Sequence, residues 1–180
     1  TVPELVKEET LCPHQDYVYF AFPTKEEQEQ LDAFSQQKNA LLQQLTSDPL
    51  FCQHLQNCQA LSGQISDDEL LNEPKYLSAT LIFLRSKGID FPKRFQDLLG
   101  AKKLPAFTLD WLEILLQGLL FQVPHWYNLP EEYEKQLLHE LKAASLIDRK
   151  QVKLVRNKKQ DLLLNQSLGK LNAVREIFKE

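Results

Sequence analysis

The stretch 107–121, FTLDWLEILLQGLLF, limits what this chain can fold into more than any other. Wound as a helix, it places Asp110, Glu113 and Gln117 at i, i+3 and i+7 in one narrow polar stripe. Leu109, Trp111, Leu112, Ile114, Leu115, Leu116, Leu119, Leu120 and Phe121 then cover most of the remaining circumference. A rod that is apolar on so many sides has to be surrounded. It is too short to cross a bilayer, which takes roughly 20 apolar residues. No membrane span is therefore expected, and the surroundings should be other helices of the same chain.

Composition points the same way. Leu counts 34 against 13 Val plus Ile, and Gly only 5; Leu keeps its rotamer freedom in a helix whereas β-branched residues lose theirs. The expected fold is all-α or nearly so: a multi-helix bundle around a buried central helix near 108–122. At 180 residues the chain is long enough to build one hydrophobic core without metals or disulfides. Three cysteines, Cys12, Cys52 and Cys58, form an odd set with no regular framework. That favours a reducing, cytoplasmic setting over a disulfide scaffold.

Taken in order, 1–23 reads as an extended arm, with the aromatic run YVYFAF at 17–22 as a short strand or plug closed by Pro23. A helical core domain should occupy 24–147. Thr24 and Glu27 form a capping box, and Leu31, Phe34, Leu41 and Leu45 repeat at near-heptad spacing with Lys38 interrupting the seam. Asp48-Pro49 opens a second helix that should run to about Gly63. Ser66 with Glu69 caps a third, residues 75–86 carry Leu77, Leu81 and Leu84 on one face, and Gly88 suits a left-handed C′ position. Pro130 starts a further helix with Glu131 and Lys135 as an i, i+4 pair. The remainder, 148–180, reads as a basic segment packed on the core. A small β-hairpin near 151–164 is expected there, KQVKLVRN pairing with the leucines at 162–164 across Asn157-Lys158-Lys159, although Val152, Val155 and Leu162 also satisfy a helical face. Leu168, Leu171, Val174 and Phe178 form a closing apolar stripe.

The chemistry-bearing residues are sparse. Cys12 and His14 with His54 and Cys58 contain the residue types of a zinc set, but Cys58 reads more simply as a small core residue and His54 as a boundary one. No two glycines lie close enough for a phosphate-cradling loop. Asp67, Asp68 and Glu69 read as first-turn acids favourable to the helix dipole. No catalytic, cofactor-binding or metal-binding residue is assigned. Charge is divided unevenly: up to Ile147 there are 12 Lys plus Arg against 21 Asp plus Glu, and from Asp148 onward 9 against 4, within a total of −4. A helix followed by a basic hairpin is the order in which winged-helix proteins place a recognition helix and a wing. Arg149, Lys150, Lys153, Arg156, Lys158 and Lys159 would then meet phosphates, although Glu131, Glu132, Glu134 and Glu140 make that recognition helix acidic. His125, Trp126 and Tyr127 form an aromatic elbow that either anchors a turn or walls a pocket beside Phe107 and Phe121. The expected function is a non-enzymatic protein–protein interaction module, an adaptor or assembly subunit, touching another protein through 149–159 and 125–127. A winged-helix-like nucleic-acid binder and a helical small-molecule binder are the alternatives.

Overall fold

In chain order the helices are α1 (Lys25–Ser47), α2 (Pro49–Gln56), α3 (Gln59–Ser62), α4 (Asp67–Asn72), α5 (Pro74–Ser86), α6 (Lys93–Leu98), α7 (Leu109–Gln117), α8 (Pro124–Tyr127), α9 (Glu131–Ala143), α10 (Lys158–Asn165) and α11 (Leu168–Ile177). Two short strands, β1 (Ile147–Asp148) and β2 (Gln151–Val152), pair antiparallel with Ile147 opposite Val152. The computed structural model describes residues 20–155, 158–165 and 167–178, with backbone alone for 158–160 and 163. Most of the expected arm, with Cys12, His14 and Tyr17, lies outside the described residues. Within them the chain is all-α apart from that hairpin, and no helix is long and apolar enough to cross a membrane.

The expected central helix is present as α7, continued through one wider π turn over Gly118–Gln122 that Val123 closes by donating its N–H to the Gly118 carbonyl. Leu112, Leu115, Leu116, Leu119 and Leu120 are buried along it. It shares the centre with α5, where Tyr76, Leu77 and every residue from Ala79 to Leu84 are buried. The two helices approach closely at Gly118: a Cβ there would lie 2.7 Å from Cδ1 of Tyr76. Pro74 occupies the first turn of α5, where a missing N–H costs nothing. Gly88, at φ +68°, closes a Schellman turn in which the Ile89 and Gly88 amides reach the carbonyls of Leu84 and Arg85.

Around this pair the remaining elements begin where their caps lie. Thr24 and Glu27 make the reciprocal capping box of α1, and the Asp48 carboxylate accepts from Leu50 N–H to start α2 behind Pro49. The expected second helix to Gly63 is divided at Asn57. Cys58 is the N-cap of α3, so His54 and Cys58 share no helix face, and Cys58 is buried with its thiol pushed up to about 11 by desolvation. Aromatic edges fill the core between α2, α5 and the loop before α7, with Phe83 meeting Phe51 and Phe107 at centroid distances of 5.4 and 5.5 Å.

The hairpin lies earlier than expected. Residues 151–152 fold back on 147–148 across Arg149-Lys150, and the leucines at 162–164, expected in the returning strand, lie instead in the helix Lys158–Asn165. The apolar residues of 146–148 supply a nearer partner, while Lys, Gln and Leu in 158–165 are good helix formers. Leu146, Val152 and Leu154 join the core.

Candidate functional site

The polar stripe of α7 binds the chain's own backbone. Glu113 Oε2 accepts from the amides of Leu154 at 2.6 Å and Val155 at 3.1 Å. Gln117 works in both directions, accepting from Val152 N–H at 2.8 Å and donating to the Lys150 carbonyl at 3.1 Å. Two side chains on a helix thus take up backbone groups of β2 and of the residues flanking it, which pair with no second strand among the described residues. From the other flank, Lys38 donates to the Leu154 carbonyl, which accounts for a lysine in the α1 seam. Between α7, the start of α5 and β2 lies an open groove of about 640 Å³, lined by Asp110, Glu113, Lys75, Lys153 and amide side chains. Its walls include no Cys, His or Ser, and the two best-placed polar groups, Glu113 and Gln117, already hold backbone.

The aromatic elbow forms α8. Glu69 Oε1 sits between it and α4, 2.7 Å from Nε2 of His125 and 3.2 Å from Nε1 of Trp126. These two bonds, His125 first, hold the Glu69 carboxyl below its usual range. Thr80 donates to the Tyr76 carbonyl, leaving its oxygen to accept from Tyr127 OH at 2.9 Å. Trp126 and Tyr127 are buried at 1% and 3% exposure. Only His125 of the three is left at the surface. The expected pocket beside Phe107 is a separate cleft walled by Ile82, Arg85 and Leu104, and none of the elbow residues borders it.

Of the basic set, Arg149 and Lys150 form the exposed tip of the hairpin, both with positive φ, +48° and +64°, as a I′ turn requires. Lys153 is half-buried at the rim of the groove. Arg156 and the side chains of Lys158 and Lys159 lie outside the described residues. Preceding them, α9 carries Glu131, Glu132 and Glu134 in its first turn. Tyr133 of that helix donates to Asp48 at 2.7 Å, and its phenol is pushed up by burial and then by the Asp48 carboxylate.

The feature that sequence reasoning saw without interpreting is α11. Its apolar residues face solvent: Leu168, Leu171, Val174, Ile177 and Phe178 are 45–86% exposed. The helix is fixed at its start. Ser167, itself buried, donates Oγ to Glu27 Oε2 at 2.9 Å, and Leu168 N–H donates to Glu27 Oε1 at 2.7 Å. One carboxylate therefore caps two helices, and the Thr24, Leu168 and Ser167 donors, Thr24 foremost, lower its pKa. A Cβ on Gly169 would run into the Phe22 carbonyl, so that side of α11 lies against the chain entering α1. Periodicity announces such a stripe; it carries no information about which way the stripe turns. Among the described residues no cluster of His, Cys, Asp and Glu is arranged to hold a metal ion. Comparison of the chain with protein-family models, with curated proteins and with solved structures gave no match.

Proposed function

We propose that this chain is a non-enzymatic protein–protein interaction module, an adaptor or assembly subunit, with α11 as its principal contact element. The observation that carries this reading is the outward row Leu168, Leu171, Val174, Ile177 and Phe178; Leu162 and Leu164 on α10 are exposed as well. Scattered exposed leucines need no explanation, but a contiguous apolar row on one helix is the signature of a surface that another molecule covers. The aromatic elbow contributes less, because its two largest side chains are already used in the core. The test is capture from native lysate with the full chain as bait. Leu171→Asp with Val174→Asp should remove the bound protein while circular dichroism stays unchanged, since both residues are exposed. Equal capture by wild type and variant would refute α11 as the contact.

A second reading retains one specific observation, the Arg149-Lys150 tip that follows α9 in the order of helix and wing. Binding of duplex DNA through it should weaken steeply with added salt and disappear in Arg149→Glu/Lys150→Glu. The glutamates of α9 oppose close approach of that helix to phosphates. Salt-insensitive or absent binding would dismiss the reading.

A further inference from the structure

We infer that the outward row of α11 receives an acidic amphipathic helix of a partner protein, a conclusion that rests on the interaction reading above and names the chemistry of the partner. The argument begins with an inversion. At about 100° per residue, the row from Leu168 to Phe178 covers one half of α11, and Gly169 and Ala173 fall on the other. Those two are the only residues of α11 that are shielded; every other one is exposed. An amphipathic helix ordinarily turns its large apolar side chains inward. Here the small residues face the body and the large ones face out, and the orientation is locked by the Glu27 bonds to Ser167 and Leu168 and by the fit of Gly169 under the Phe22 carbonyl. The same row cannot be turned inward without breaking these three contacts.

Charge selects the occupant. On the same projection Lys170 falls between Ile177 and Val174 and Arg175 between Leu171 and Leu168, just inside the two margins of the row and both exposed, while Glu176 falls on the far side of the helix. The central strip of Leu171, Val174 and Phe178 is thus flanked by cations on both sides; Glu176 lies away from it, and Glu27, at the start of the helix, is engaged by Ser167 and Leu168. A second copy of α11 laid against the first would bring cations toward cations. A helix whose own apolar face is flanked by Asp or Glu meets Lys170 and Arg175 with opposite charge, as flanking positions do in helix pairs that choose their partners. The strip spans about 15 Å at 1.5 Å per residue, which matches two to three turns of a partner helix docking by anchors at i, i+3 and i+7.

The experiment titrates the full chain with two labelled helical peptides of about 14 residues, identical in their leucine face, one bordered by Glu and the other by Lys. At low salt the Glu peptide should bind with a Kd on the order of tenfold lower than the Lys peptide. Lys170→Glu/Arg175→Glu should reverse that order, and Leu171→Asp should abolish binding of both. Equal Kd values for the two peptides, or no binding of either, overturn the proposal. So does self-association removed by Leu171→Asp, which would make a second copy the occupant, or binding to phosphatidylserine vesicles in place of the peptides. If the order of the peptides fails while capture from lysate still depends on Leu171 and Val174, the acidic partner is wrong and the interaction module stands; if capture is also independent of them, both fall.

Discussion

At Gly118 the packing of α5 on the central helix leaves no room for a methyl group. The neighbours are Cδ1, Cγ and Cβ of Tyr76, the near end of a side chain only 4% exposed. Gly118→Ala should therefore cost about 1–3 kcal/mol through overpacking, despite the better helix propensity of alanine. A urea unfolding curve checks this, with a lower midpoint at an unchanged slope. The hairpin tip presents the opposite situation, a residue choice that costs stability without filling space. Arg149 and Lys150 both hold positive φ, which L side chains with a Cβ adopt at a penalty of about 1 kcal/mol each. Arg149→Asn/Lys150→Gly should raise stability by on the order of 1 kcal/mol, seen as a higher Tm.

Among elements, α1 and α11 are coupled through Glu27. Its carboxyl has a depressed pKa, so its contribution is complete above the unfolded-state value, about 4.3 for glutamate, and is lost as pH falls through the lower folded one. Protection of the Leu168 amide, its exchange rate taken relative to the intrinsic rate at each pH, should therefore be lost in acid. Glu27→Ala should remove the same protection at neutral pH, whereas Thr24→Ala, which affects only the α1 cap, should cost about 1 kcal/mol and leave α11 docked. The α1 half of this arrangement is readable in the sequence, because Thr24 and Glu27 are local and the capping box is a three-residue rule. The α11 half is not, since nothing local tells a glutamate at 27 that Ser167 will stand beside it. The same division holds elsewhere. Pro49, Ser66, Gly88 and the leucines of α7 act through neighbours within one or two turns and were legible. The hairpin partner depended on Leu146 and on two side chains of α7, and the outward turn of α11 depended on Gly169 meeting Phe22; these are long-range facts that periodicity does not encode.

Across the whole molecule, the polar stripe of α7 and Lys38 of α1 together hold the 150–155 backbone against the helical body. Glu113→Ala would leave the Leu154 and Val155 amides without their acceptor, one of them beside the core. The expected loss is about 1–3 kcal/mol. Its contacts join residues 41 and 42 apart, and the Lys38 contact joins residues 116 apart. Such pairings close costly loops and tend to form after the local helices. The variant should accordingly unfold faster while folding at nearly the wild-type rate, which stopped-flow chevrons would reveal as a shift confined to the unfolding arm.

This fastening also has a direction in time. Lys38, Glu113 and Gln117 are all translated before the stretch they grip, so a growing polypeptide leaves the ribosome with its helices able to assemble and a seam between α1 and α7 still open. Only when the residues around Leu154 emerge can that seam shut, which makes their appearance the moment when the leucines beneath it pass out of reach of chaperones.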